Sequence, residues 1–111
     1  MLNLGRMTTT RLEQLFRFHE EDPHDPFPVY GLALEYLKID VQKSEKYFDE
    51  LVVHFPDYLP TYYHAAKLKA ELGKREIAID LYKKGIDLAI RAQDRSTQRE
   101  LQSAYDELTF E

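Results

Sequence analysis

The chain has 111 residues, a length that suits one domain, and 43% of them are hydrophobic, so a packed core is possible. Fifteen basic residues stand against 20 acidic ones for a formal net charge of −5, with no basic block, which argues against nucleic acid as a partner because such binding needs a phosphate-neutralising stripe. The absence of cysteine removes disulfides, thiolate catalysis and zinc–thiolate sites together and fits a reducing compartment.

The opening, Met1-Leu2-Asn3-Leu4-Gly5-Arg6-Met7, is too short and too polar for a signal peptide. Residues 1–8 read as a flexible extension, with Met7 an alternative start. No apolar run approaches the roughly 20 residues of a membrane span, so the chain reads as soluble and cytoplasmic, with no membrane partner.

A first helix is expected over 9–21, stopped by Asp22-Pro23-His24-Asp25-Pro26. A second follows over 26–38, with a softer break at Lys38-Ile39-Asp40. The third, 41–54, carries Ser44, Tyr47, Phe48, Leu51, Val52 and Phe55 at the spacing of one helix face. Phe55-Pro56-Asp57-Tyr58-Leu59-Pro60 separates it from a fourth over 58–72. Leu72-Gly73-Lys74 then turns the chain into a fifth, 75–92, whose face is Ile77, Ala78, Leu81, Tyr82, Gly85 and Leu88. Gln93-Asp94-Arg95-Ser96-Thr97 precedes a sixth over 96–109, with Leu101, Ala104, Tyr105 and Leu108 on one side. Thr97 followed by Glu100 offers it a capping box. No stretch alternates as a strand would, and the short linkers predict antiparallel neighbours.

Residues that could carry chemistry are sparse. The histidines are His19, His24, His54 and His64, none spaced as a zinc-binding pair on one helix. Asp22, His24 and Asp25 could touch a metal, but a helix stop with a capping acid explains them. The four glycines are isolated, so there is no phosphate-cradling loop. Carboxylate pairs such as Glu20-Glu21 and Asp49-Glu50 fall on polar helix faces. No catalytic residue, metal site or cofactor is expected.

The informative pattern is internal repetition. Pro23 and Pro56 lie 33 residues apart, as do Tyr30, Ala33 and Leu37 from Tyr63, Ala66 and Ala70. Ser44, Phe48 and Val52 return as Ala78, Tyr82 and Ile86, now 34 apart, which places one extra residue near the turn at Asp40. One copy reads Val29, Leu32-Ala33, Tyr36, Ser44, Phe48, Pro56; the next reads Tyr62, Ala65-Ala66, Lys69, Ala78, Tyr82 and Ile90. On these residues the chain resembles the tetratricopeptide repeat family, whose helix pairs place small residues at crossings and large ones between them. Two departures stand out: Lys69 replaces an aromatic, and Ile90 replaces the closing proline. Gly85, costly in mid-helix, points to a close backbone contact.

The resemblance implies an all-α fold: a right-handed superhelical stack of antiparallel helix pairs in one domain over 9–111. That domain would hold a half repeat (9–24), full repeats at 25–57 and 58–92, and a capping helix (95–109) that shields the last apolar face. It also implies a concave face that holds a peptide or helix of another protein. The groove positions would be Phe27, Tyr30, Leu34 and Leu37 from one repeat, and Tyr63, Lys67, Ala70 and Glu71 from the next, with His64 at the edge. Members that hold chaperone tails clamp a terminal carboxylate with several Lys, Arg and Asn residues; only Lys67 could serve so here, and a largely hydrophobic segment is the expected ligand. Tyr30 and Tyr63 could equally be core. The same apolar strip could instead meet its own copy, so the chain reads as a monomer or weak homodimer. An RNA-reading helical repeat would need polar and basic groove positions, against which Phe27 and Leu34 stand.

Overall fold

The computed structural model describes residues 4–110, with side chains from residue 10 onward. Six helices account for most of the described residues: α1 (Leu4–Glu21), α2 (Pro26–Tyr36), α3 (Val41–His54), α4 (Thr61–Glu71), α5 (Arg75–Arg91) and α6 (Arg95–Thr109). No strand occurs among the described residues.

Their ends follow from local chemistry. Asp25 caps α2, its carboxylate accepting the Phe27 N–H at 3.0 Å, while Pro26 occupies a first-turn site that needs no donor. Asp40 caps α3 through the Lys43 N–H at 3.2 Å. At α6 the cap is Asp94, which accepts the Thr97 N–H at 3.1 Å and the Thr97 hydroxyl at 2.7 Å. The capping box expected from Thr97 and Glu100 is therefore corrected. An ionised carboxylate three residues upstream is the better acceptor, and Thr97 lies inside the helix as its donor. α4 starts at Thr61 rather than 58, because Tyr58-Leu59-Pro60 forms a turn whose carbonyls take the Thr61 and Tyr62 N–H groups.

The extension expected over 1–8 is also shortened. Residues 4–8 continue α1, since adding residues to an established helix costs far less than nucleating one, even through a Thr run of poor propensity. Residues 1–3 of that expectation lie outside the described residues.

Two compact units result, Met1–Phe55 and Pro56–Glu111. In the first, α2 packs against both α1 and α3. Leu15 of α1 is buried with Leu32 and Tyr36 of α2, and Leu12 and Tyr47 flank them. Gly31 lets α1 come close: a Cβ there would meet Leu15 Cδ2 at 2.7 Å. Ser44 of α3 is fully buried and donates its hydroxyl to the Ala33 carbonyl at 2.6 Å, which ties α3 to α2 where both residues are small. Phe48 fills the space beside them; burying a side chain of that size contributes about 2–3 kcal/mol.

In the second unit α5 packs against both α4 and α6, and α4 also touches α6. Ala65, Ala66 and Ala78 are buried, and Tyr82 occupies the place that Phe48 holds in the first unit. Tyr62 is fully buried and donates its hydroxyl to the Pro56 carbonyl. Gly85 sits against it: a Cβ would stand 2.7 Å from Tyr62 Cβ and 3.0 Å from Leu101 Cδ1. The close contact expected at this glycine is present. Lys69 is buried where the first unit has Tyr36, its long stem taking the aromatic's place.

The change of repeat offset from 33 to 34 has a hydrogen-bond explanation. In the first turn the Tyr36 carbonyl accepts the Asp40 N–H at 2.8 Å. In the second, the equivalent Lys69 carbonyl accepts the Lys74 N–H at 2.8 Å, across one residue more. That residue is accommodated because Gly73 adopts φ +80°, the left-handed geometry that ends many helices. The turn after α5 is built alike, with Gln93 at φ 57° and the Asp94 N–H bonded to the Ala89 carbonyl.

Candidate functional site

The expected groove residues fall in both units. In the first, Phe27 lies on the opening turn of α2, 56% exposed, and Tyr30 is half-buried one turn on. Leu34 and Leu37 line a depression of about 470 Å³ with Arg11, Gly31, Glu35 and Lys38. Its one carboxylate is already paired: Glu35 stands 3.2 Å from the Arg11 guanidinium and 3.4 Å from the Lys38 ammonium.

A second depression, about 430 Å³, belongs to the other unit. Tyr63, Lys67, Ala70 and Glu71 of α4 form one wall, Ala104, Glu107 and Leu108 of α6 the opposite one, and Tyr82 of α5 the floor. The spacing on α4 explains its wall: 63, 67, 70 and 71 recur at three and four residues, so their side chains share a face. Tyr62, Ala65, Ala66 and Lys69 on the other side of α4 are buried, which fixes the helix in rotation and leaves the Tyr63 face outward.

Tyr82 is only 4% exposed, yet it lines this trough. Burial pushes the Tyr82 hydroxyl's pKa up, and the neighbouring Tyr63, Glu107 and Glu71 push it the same way. Both carboxylates therefore act on one hydroxyl from opposite walls. His64 packs edge-on against Tyr63, with ring centres 5.4 Å apart. Its pKa is lowered, first by burial and then by Lys67, with Glu100 partly opposing, so the imidazole is held neutral.

The structure thus brings Tyr63, Lys67, Ala70 and Glu71 to one trough and sets His64 beside it. Leu34 and Leu37 share a separate depression within the other unit. Sequence reasoning missed Tyr82, Ala104, Glu107 and Leu108 as lining residues. From the sequence Tyr82 reads as a large residue filling its helix pair and Ala104 and Leu108 as cap, while nothing there singles out Glu107. Their helical spacing was visible, but the contact of α6 with α4 was not.

A third depression, about 450 Å³, gathers His19, His24 and His54 with Glu50, Pro23, Val29 and Phe55 in the first unit. Asp22 accepts the His24 N–H at 3.2 Å, the turn bond expected of a helix stop. Among the described residues no three His, Asp or Glu side chains are placed to hold a metal ion. Likewise, no helix among them is long and apolar enough to cross a membrane.

No family model matches the sequence, and none of the curated proteins matches it. Solved structures do. The solution NMR structure of a tetratricopeptide repeat domain protein from Salinibacter ruber shares 42% identity over 79% of this chain and 90% of its own, with a TM-score of 0.73. A crystal structure of a tetratricopeptide repeat domain protein from the same organism is 40% identical over 78% of this chain and 98% of its own, with a TM-score of 0.74.

Proposed function

From this chain's membership of the tetratricopeptide repeat family, we propose that it is an adaptor which holds an apolar peptide or helix of another protein against the outward faces of α2 and α4. Folds of this family are typically non-catalytic protein-interaction modules. The contact residues proposed are Phe27, Tyr30, Leu34 and Leu37 on α2, and Tyr63, His64, Lys67 and Glu71 on α4. The observation that carries the reading is the open trough of the second unit, where Tyr63, Ala104 and Leu108 present half-buried apolar surface rather than a closed core. Aromatic side chains in such places make efficient anchors, because they bury a large area for little lost rotamer freedom.

The test is affinity capture from the native cell with the wild-type chain and with a Tyr63→Ser/Leu108→Gln variant whose circular dichroism is unchanged. The variant should lose the partner; equal capture by both would refute the trough. A second reading, self-association, is favoured by exposed Phe27 and the half-buried Leu34 strip. Light scattering over a dilution series decides it: a mass that does not change with concentration and equals one chain excludes it.

A further inference from the structure

We propose that the trough between α4 and α6 selects a partner segment carrying a basic side chain, arginine above all, beside an apolar anchor. The proposal rests on the adaptor reading and sharpens it, because it assigns a charge to a ligand so far described as apolar.

Glu71 lines the trough from α4 and Glu107 from α6. Both are exposed, and neither is engaged in an ion pair among the described residues. The depression of the first unit differs in this respect, since Glu35 there is already held by Arg11 and Lys38. Two carboxylates face one ammonium, that of Lys67, and the adjacent His64 is held neutral. The lining therefore keeps a net negative charge that favours an incoming cation.

The shape suits that cation. The apolar surfaces of Tyr63 on one wall and of Ala104 and Leu108 on the other can take the aliphatic stem of a long basic side chain between them. A guanidinium can stack on the Tyr63 ring and still donate from its fork to carboxylates on either side. Tyr82 at the floor is more than nine-tenths buried and keeps its proton, because burial and the same two carboxylates disfavour the phenolate. Its hydroxyl thus adds no charge of its own. A terminal or side-chain carboxylate would instead meet Glu71 and Glu107 with one lysine to offset them. The acidic ligand that a cationic clamp takes is disfavoured here.

The experiment uses the full chain and three short fluorescein-labelled peptides, identical except at one position, which holds arginine, citrulline or glutamate four residues from a leucine. Citrulline keeps the shape of arginine and removes its charge. Anisotropy titrations at low salt should show the arginine peptide binding about tenfold tighter than the citrulline peptide, the gain expected from two exposed charge-assisted contacts acting together. Added salt should narrow the gap. A Glu71→Gln/Glu107→Gln variant should abolish it, so that the arginine and citrulline peptides bind that variant equally. Lys67→Gln should tighten the arginine peptide, a gain that misfolding could not produce. Amide shift mapping keeps the two readings apart. Equal binding of arginine and citrulline peptides, with shifts along α4 and α6, overturns the cation site and leaves the trough standing. Tighter binding of the glutamate peptide, or weaker arginine binding by Lys67→Gln, also overturns it. If no peptide shifts α4 or α6 amides, both readings fall.

Discussion

Replacing Gly85 with alanine separates helix propensity from packing, because the two predict opposite signs. In an exposed mid-helix position alanine would stabilise by about 1 kcal/mol over glycine. Gly85, however, is buried, and the new methyl would stand 2.7 Å from Tyr62 Cβ and 3.0 Å from Leu101 Cδ1. A Cβ atom is fixed to the backbone, so Tyr62 cannot move aside by changing rotamer. Tyr62 and Leu101 are themselves 0% and 1% exposed and have no open space to enter. α5 must then move away from α4, at an overpacking cost of about 2–3 kcal/mol, the upper part of the usual range, because the 2.7 Å clash is with a backbone-fixed atom. The propensity gain offsets part of this, and the net expectation is a loss of about 1–2 kcal/mol, or several degrees in Tm for a chain of this size. Urea unfolding followed by circular dichroism measures it. A Gly85→Ala protein as stable as wild type, or more so, would refute the close approach of α5 to Tyr62.

Ser44→Ala should destabilise the first unit by about 1–3 kcal/mol, since it removes the donor to a buried Ala33 carbonyl; the same urea titration reads it, and no change would mean that another donor replaces the hydroxyl. His64 should titrate below its ordinary value of 6.5. With the folded pKa below the unfolded one, its contribution to stability is present above pH 6.5 and lost as pH falls through the folded value. Proton NMR of the ring, with His64→Gln as the control that flattens the acid limb, tests this; a midpoint at or above 6.5 contradicts it. The Asp94 carboxyl is lowered from 3.8 by its side-chain and backbone bonds from Thr97. That contribution is in place above pH 3.8 and disappears as pH falls through the lowered value, so hydrogen exchange at the start of α6 should speed up in acid, and Asp94→Asn should weaken the dependence. Gly73→Ala, where φ is +80° and nothing lies within 4 Å of a new Cβ, should cost about 1 kcal/mol in backbone strain alone. Gly73→Asn should recover most of that loss; equal stability of the alanine and wild-type proteins would show that the turn does not need left-handed geometry.

The repeat made the fold readable. Small residues at Ala33, Ser44, Ala66 and Ala78 and large ones at Phe48 and Tyr82 recur because each helix pair solves one packing problem twice, and all six are buried. Breakers at Pro23, Pro56 and Gly73 placed the helix boundaries to within a few residues. The start of α1 was not readable, because propensity argues against helix through the Thr run whereas propagation from a docked helix argues for it. The cap of α6 failed for a related reason. Asp94 and Thr97 both fit a capping residue, and three residues separate each from a plausible partner. Only the phase of α6, fixed by Leu101 packing against Gly85, decides between them.

The trough was half-legible, and the division follows the origin of its walls. Tyr63, Lys67, Ala70 and Glu71 lie on one helix, so their common face follows from spacing within α4. Glu107, Ala104 and Leu108 come from a helix more than thirty residues further on, and nothing in α6 by itself tells the side that meets α4 from the side that meets α5. Leu101 faces α5 at Gly85, whereas Ala104 and Leu108, one and two turns later, face the trough. One apolar stripe thus serves two neighbours, and sequence periodicity records it as a single cap. Tyr82 shows the same ambiguity within one side chain: it is buried as core and also lines the site. The charge of the site depends on the part that periodicity hides, since Glu71 alone is balanced by Lys67 one turn away on α4. The second carboxylate, Glu107, is what turns a neutral apolar groove into one that prefers a cation.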